Sequence, residues 1–274
     1  MSNTSPAGAT KTREDARVTV EETLPLTLCI DTATDVRSVA IARGSLIISI
    51  IREAAAHSKS SVLLEEIDAA LRIAQVSLRE IDLYAIARGP GSFTGLRAGL
   101  ATTKAFASIH ARPVAPVPTL HAVALSAGAS TQTLAMIPAG RGEVFAQTFH
   151  VDEAGRITEL SAAAHVNPAT LLRGAASQRV SLKFAGGGAR AHTELIRGIA
   201  EEEKIRLIDE GSDAPDQCAG DISAERVWIL TREVDDYAAQ IARLGLINYE
   251  EGETVDAHDL AASYVRPSDA ELNR

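Results

Sequence analysis

Large rings are scarce in this chain: aromatics make up 4% of 274 residues, as one Trp, four Tyr and five Phe. Any sizeable core must therefore be assembled from Ala, Val, Ile and Leu, within an apolar fraction of 46%, a composition that suits helices packed on a sheet. Cysteine is nearly absent too. Cys29 and Cys218 lie far apart and neither belongs to a C-x-x-C pair, which leaves no sequence basis for a structural disulfide or a thiolate metal site. Cys29 reads as a small strand hydrophobe. Positive charge is in deficit, with 27 Lys and Arg against 36 Asp and Glu, a formal charge of -9 and a pI near 5.3. Nonspecific nucleic-acid affinity comes mainly from Lys and Arg neutralising phosphates, so direct, unaided binding of RNA or DNA is disfavoured. No apolar run approaches the ~18 residues of a membrane span, and the first 25 residues are too polar for a signal-peptide core. A cytoplasmic protein with no membrane association is expected.

Several catalytic patterns are missing as well. His57, His110, His121, His150, His165, His192 and His258 form no H-E-x-x-H or H-x-x-x-H pattern and no Cys/His cluster, so no local metal site is encoded. His57 heads the segment His57-Ser58-Lys59-Ser60-Ser61, where an imidazole one turn later could share a metal, but position 61 is Ser. His57 reads as a capping or surface residue. No G-x-S-x-G elbow surrounds any serine, which weakens a hydrolase reading. Glu65-Glu66 and Glu201-Glu202-Glu203 read as solvated helix faces or ends, because paired carboxylates need burial to become an acid and a base. No catalytic residue is assigned.

What is present suits two mid-sized domains. Residues 1–25 are polar and aperiodic, as a disordered leader would be. Leu26 to Ile30, Val36 to Ile41 and Leu46 to Ile51 read as three consecutive strands. Val62, Leu63, Ile67, Ala70, Leu71 and Ala74 recur at helical spacing, with Ser58 or Ser60 as N-cap. Ser77-Leu78-Arg79-Glu80 fits a capping box. Leu83 to Ala87 reads as a strand, Leu96 to His110 as a helix, and Val114 to Val117 as a strand. The prolines Pro113, Pro116 and Pro118 mark a boundary, with Thr119 as the cap of the next helix. The expected division is therefore a lobe over 26–118 and a smaller or degenerate second lobe over 119–274. In that second lobe Thr133 to Ile137 and Glu143 to His150 flank the turn Ala139-Gly140-Arg141-Gly142, and Leu182 to Ala185 precedes Gly186-Gly187-Gly188. Three antiparallel-type strands, helix, strand, helix, strand is the layout of a ribonuclease-H-like half, which actin-like proteins carry twice.

The strongest local signal is Gly89-Pro90-Gly91-Ser92-Phe93-Thr94-Gly95-Leu96-Arg97-Ala98-Gly99, between a strand and a helix. Two readings stay open. Backbone amides of Gly89, Gly91 and Gly95, with the Ser92 and Thr94 hydroxyls, could form an anion nest at a helix N-terminus. Alternatively Gly89 and Gly91 permit a tight turn, while Gly95 and Gly99 let the helix approach a neighbour closely. The string matches neither the P-loop nor G-x-G-x-x-G. Asp31-Thr32-Ala33-Thr34 ends the first strand, and Asp31 and Thr32 read either as phosphate-proximal groups or as a plain polar strand terminus.

On Ile30-Asp31-Thr32, the His57-Ser58 helix entry and above all the Gly89 to Arg97 string, the chain resembles the TsaB (YeaZ) family of bacterial tRNA threonylcarbamoyladenosine biosynthesis, from about Leu26 to Arg266. The resemblance implies an α/β, actin-like ATPase (ASKHA, ribonuclease-H-like) fold, with two lobes that are each a mixed sheet flanked by helices. It also implies a non-catalytic paralogue of TsaD, the enzyme that carries the metal-binding H-x-x-x-H. The implied partners are a TsaD-like catalytic subunit and a TsaE-like ATPase, with tRNA reached only through the complex and a homodimer when the chain is alone. No cofactor of its own is implied, although ATP or ADP has a place at the complex interface. In such complexes two N-terminal helices pair with TsaD, which carries the interface onto Leu63, Ile67, Leu71, Leu96, Leu100 and Phe106. The chain departs from the family pattern at Pro138, Gly140 and Phe145, at Ala262 and within Gly186-Gly187-Gly188-Ala189, where a Gly stands at a position often Asp. The competing enzymatic reading is an actin-like ATP-binding kinase or a metal-dependent, M22-type glycoprotease-like peptidase.

Overall fold

The computed structural model describes residues 24–54, 62–212, 226–234 and 236–265. The expected leader up to Thr23, the caps at Ser58 or Ser60, His57 and Cys218 lie outside the described residues.

The first sheet has the strand order β3-β2-β1-β4-β5. Strands β1 (Leu26–Asp31), β2 (Val36–Arg43) and β3 (Leu46–Ala54) form the expected antiparallel meander. Two crossovers follow: helix α1 (Val62–Ala74) leads to β4 (Leu83–Ala87), and helix α2 (Phe93–His110) leads to β5 (Val114–Val117). Both β4 and β5 therefore run parallel to β1. Before β4, the Glu80 carboxylate accepts the Ser77 amide and hydroxyl at 2.8 Å, and Leu78–Glu80 forms the expected short turn.

Two boundaries differ from expectation, each because a hydroxyl acts elsewhere. Helix α2 starts at Phe93 rather than Leu96, because Ser92 is its N-cap and accepts the Gly95 amide at 3.2 Å. Thr119 is not a cap. It is the first residue of α3 (Thr119–Ser126), and its hydroxyl accepts the Gly89 amide at 3.1 Å.

The second sheet repeats the plan. Strands β6 (Ser130–Gly140) and β7 (Glu143–Val151) are an antiparallel hairpin, extended by β8 (Ile157–Glu159) and β9 (Ala164–Val166), both paired with β7. Helix α4 (Pro168–Ser177) then crosses to β10 (Leu182–Ala185), which lies parallel to β6. Helices α5 (Gly187–Ala191) and α6 (Thr193–Glu202) lead to β11 (Arg206–Asp209) and β12 (Val227–Leu230), giving the order β11-β12-β10-β6-β7-β8. Read outward from β6, the neighbours β7 then β8 and β10 then β12 match β2 then β3 and β4 then β5 around β1.

Strand alternation sorts the core into layers. Leu26, Leu28, Ile30, Tyr84 and Ile86 face α1 and α2, while Cys29, Leu83, Ala85 and Ala87 face the opposite side. There α3 packs on the second sheet and α7 (Ala238–Glu250) returns to the first, across β1, β4 and β5. Gly245 admits this approach, since a Cβ there would press on the Ala85 side chain. The outer face of the second sheet is covered by α4, α5 and α6 through Leu172, Ala189, Ile196 and Ile199. The core is mostly Ala, Val, Ile and Leu, as composition required, but four of the ten aromatics, Trp228, Tyr84, Phe149 and Phe184, are fully buried within it.

Candidate functional site

Asp31 ends β1 and is completely buried. Its carboxylate accepts the Ala33 amide at 2.8 Å and the Thr34 hydroxyl at 2.7 Å, so its lone pairs hold its own turn. Complete burial pushes its pKa up to about 6, against the lowering effect of those bonds, and the Asp236 charge adds to the rise. Thr32 is buried beside it.

The glycine string meets this turn backbone to backbone. The Ser92 amide donates to the Ala33 carbonyl at 2.8 Å. A Cβ at Gly91 would strike the Ala33 carbonyl, one at Gly95 the Thr32 carbonyl, and one at Gly99 the Thr32 hydroxyl. Gly89 combines φ of +108° with Ser263 and Leu96 crowding its α-carbon, two reasons for its lack of a side chain. The structure thus brings Asp31, Thr32, Gly89, Gly91, Ser92 and Gly95 together, with the glycines filling the space between helix and strand end. Ser92 and Thr94 reach solvent, and the Ser92 oxygen already caps α2.

The cleft between the two lobes is small and acidic. Thr34, Asp35 and Val36 line it from one lobe and Ile137, Pro138 and Gly187 from the other, with Glu233, Val234, Asp236 and Tyr237 closing it. Its cavity volume is about 40 Å³, far below the ~300–1,000 Å³ of ordinary small-molecule sites. Asp236 accepts the Ala238 amide at 2.9 Å, starting α7, and pairs with Arg52 of β3. Burial raises the Tyr237 phenol, with Asp31, Glu233, Asp35 and Asp236 adding to the effect. A wall of carboxylates repels a phosphate that carries no cation. Asp236, Tyr237 and Glu233 were not singled out from sequence. They lie about 200 residues beyond Asp31, and nothing local ties them to it.

The residues assigned to a partner interface need correction. Leu63, Ile67, Leu71, Leu96 and Leu100 are buried inside this chain, and Phe106 packs on the same core against Tyr84, at 6.5 Å between rings. The periodic stripe that makes α1 and α2 recognisable covers their own sheet. Their outward apolar residues are different ones: Leu64 at 54% exposure, Ile73 at 59% and Ile109 at 73%. Glu66 is a second correction. It is buried rather than solvated, and its carboxylate accepts two bonds from the guanidinium of Arg37, the Nε bond at 2.6 Å. Glu65 and Glu201 to Glu203 are exposed as expected. Among the described residues, Asp256, His258 and Asp259 bring ligand-type atoms within 4.8 Å of one another, all at the open surface.

A five-stranded sheet in the order 3-2-1-4-5, repeated with two added strands, β9 and β11, defines an actin-like protein built of two ribonuclease-H-like halves. Two solved structures share it: an uncharacterized protein with similarity to peptidase YEAZ from Pseudomonas aeruginosa (TM-score 0.66, 22% identity, 89% of this chain and 100% of that one) and YeaZ from Pseudomonas aeruginosa (TM-score 0.64, 22% identity, 88% and 100%). Residues 49–226 match the family model described as "TsaD: tRNA N6-adenosine threonylcarbamoyltransferase", and the chain belongs to that family. Within it the chain is homologous to the tRNA threonylcarbamoyladenosine biosynthesis protein TsaB of Escherichia coli, 34% identical over 131 residues, and to that of Haemophilus influenzae, 37% identical over 101 residues. These matches cover 47% and 36% of this chain, and the chain spans about half the length of these curated relatives, 56% and 42%. No described helix is long and apolar enough to cross a membrane.

Proposed function

We propose that this protein is a non-catalytic subunit that binds and supports a TsaD-like enzyme in forming threonylcarbamoyladenosine in tRNA. The observation that carries the reading is the outer surface of the first lobe. Helices α1 and α2 spend their large periodic residues on their own sheet, yet still present Leu64, Ile73 and Ile109 to solvent. Along α2 these join the exposed Ala101 and Ala105, small residues that let a second helix come close. Their charges also complement one another: α1 exposes Glu65 and Asp68, whereas α2 carries Arg97 and Lys104 and no carboxylate. A homologous helix pair fits such a face, either the TsaD-like subunit or, when that is absent, a second copy of this chain.

The narrow acidic cleft supports a subunit that supplies no nucleophile, base or metal ligand, with no cofactor of its own. ATP or ADP, where it takes part, sits at the junction near Asp31, Thr32, Ser92 and Thr94 with most of its contacts from the partner. A TsaE-like ATPase and tRNA join through the complex, in the cytoplasm. Gel filtration of the chain mixed with its TsaD-like counterpart tests this. A co-eluting complex is expected, weakened at least tenfold by Ile73→Asp with Ile109→Asp, while thermal unfolding stays unchanged. Separate elution of the two folded proteins, or ATP turnover or proteolysis by the isolated chain, overturns it.

A further inference from the structure

The chain has ten aromatic residues, and two of them meet at the surface. Phe93, the first residue of α2, is 38% exposed, and Tyr264 in the C-terminal segment is 50% exposed, with ring centroids 5.7 Å apart and planes at 41°. The Arg97 guanidinium lies over the Phe93 ring, 3.7 Å from its centroid. Arg97 is exposed and makes no ion pair among the described residues, and its guanidinium N–H groups are donors. Arg88 joins the group through the backbone: its carbonyl accepts the amide of Ser263, the neighbour of Tyr264, at 2.8 Å. Its Nε is buried without a hydrogen-bond partner.

The electrostatics of this corner differ from those of the whole chain. No Asp or Glu occurs between Asp82 and Glu143, whereas Arg88, Arg97, Lys104, Arg112 and Arg141 do. In the described C-terminal segment, Asp256 and Asp259 flank His258, whose carbonyl accepts a hydrogen bond from Lys104. Lys104 is three helical turns beyond Phe93, roughly 16 Å at 1.5 Å per residue, so those acids lie away from the aromatic pair. Ile109 lies on another side of α2, about 160° around from Phe93 at 100° per residue. The aromatic corner therefore lies off the Ile109 side of α2, and Arg97 borders both the corner and the face offered to a protein partner.

We propose that Phe93, Tyr264 and Arg97 form a contact site for single-stranded RNA, in which an unpaired base stacks on the rings and an adjacent phosphate meets the Arg97 guanidinium. Aromatic rings accept any base face, and arginine supplies both charge and a flat surface. A duplex keeps its base faces stacked away from aromatic side chains, offering phosphates, 2′-hydroxyls and base edges instead. The overall charge of -9 keeps unaided affinity weak, about 10⁻⁴ M, and the site adds to whatever grip a complex provides. It does not depend on the TsaD-like partner, so the full chain alone can be tested.

The experiment titrates the full chain, up to about 1 mM, into a fluorescein-labelled seven-nucleotide oligoadenylate and into a blunt RNA duplex at low salt. Binding of the single strand over the duplex is expected. Tyr264→Ala, an exposed change that leaves the fold intact, should weaken it roughly fivefold or more, in line with stacking energies, while Tyr264→Phe retains it. Arg97→Ala should flatten the dependence on salt by about 0.7 in the log–log slope. Absence of single-strand binding, equal binding of duplex, or indifference to Tyr264→Ala overturns the proposal. So does a Tyr264→Ala effect confined to association with the TsaD-like protein, which would make the corner a protein contact.

Discussion

Each lobe joins the first strand parallel to its central strand, β4 or β10, to the following helix through glycine, and the two junctions solve the same steric problem. In the first lobe the turn after β4 lies on the end of β1, with Thr32 and Ala33 where side chains of Gly91 and Gly95 would go. In the second lobe the turn after β10 lies on β6 within its second half, with Met136 and Ile137 where those of Gly186 and Gly188 would go. Gly89 and Gly186 share a positive φ, +108° and +96°. The likeness teaches that the glycines answer first to packing, since helix and central strand converge there in either lobe. What sets the first junction apart is its exterior: a full 18-residue helix opening with exposed Ser92, Phe93, Thr94 and Arg97, against a five-residue helix in the second.

That equivalence can be broken by substitution. Gly95→Val and Gly188→Val should each cost at least about 5 kcal/mol or prevent folding, because the new side chain meets backbone that has no room to move. If urea denaturation finds one position tolerant, the junctions are not equivalent. A smaller effect separates buried charge in the two lobes. Glu66→Ala strands the buried Arg37 charge and should cost roughly 3 kcal/mol or more, while Asp209→Ala, beside the less buried Arg190, should cost less in the same measurement.

The buried end of β1 gives a pH signature. Asp31 rises from an ordinary carboxylate value to about 6 on folding, so the folded state favours its protonated form. The resulting stabilisation is fully present below about pH 4, where the unfolded chain is also protonated, and is lost as pH rises through 6. A shift of two units corresponds to about 3 kcal/mol as an upper figure. Denaturation midpoints between pH 4 and 7 should decline less steeply in Asp31→Asn than in the parent, and identical slopes would remove Asp31 from the account. The smallest expected effect is a control on the glycine comparison. Gly198 lies within α6 with open space around its α-carbon, so Gly198→Ala should raise stability by roughly 0.5–1 kcal/mol.

Much of this organisation was legible in the chain. The meander, the α1 periodicity, the strand-glycine-helix unit and the β6–β7 hairpin each follow from patterns within some fifteen residues, where hydrophobic period and turn chemistry act. Boundaries slipped where a side chain chose a distant partner: Thr119 reaches back to Gly89 instead of capping its own helix. The interface residues failed for a related reason. An apolar stripe marks the side of a helix that is buried, and periodicity alone does not say what buries it.

The sequence by itself determined that this is a two-lobed α/β chain with an aliphatic core, poor in cysteine and rich in acid, whose first lobe turns on the Gly89 to Gly99 string. Only the tertiary structure decided that α7 returns to the first sheet, that Asp236 and Tyr237 close a cleft beside Thr34 and Asp35, that Glu66 is spent on Arg37, and that Tyr264 stands beside Phe93. Local pattern records which side of an element avoids water. The identity of the neighbour depends on chain crossings of tens to hundreds of residues, and these leave no periodic trace.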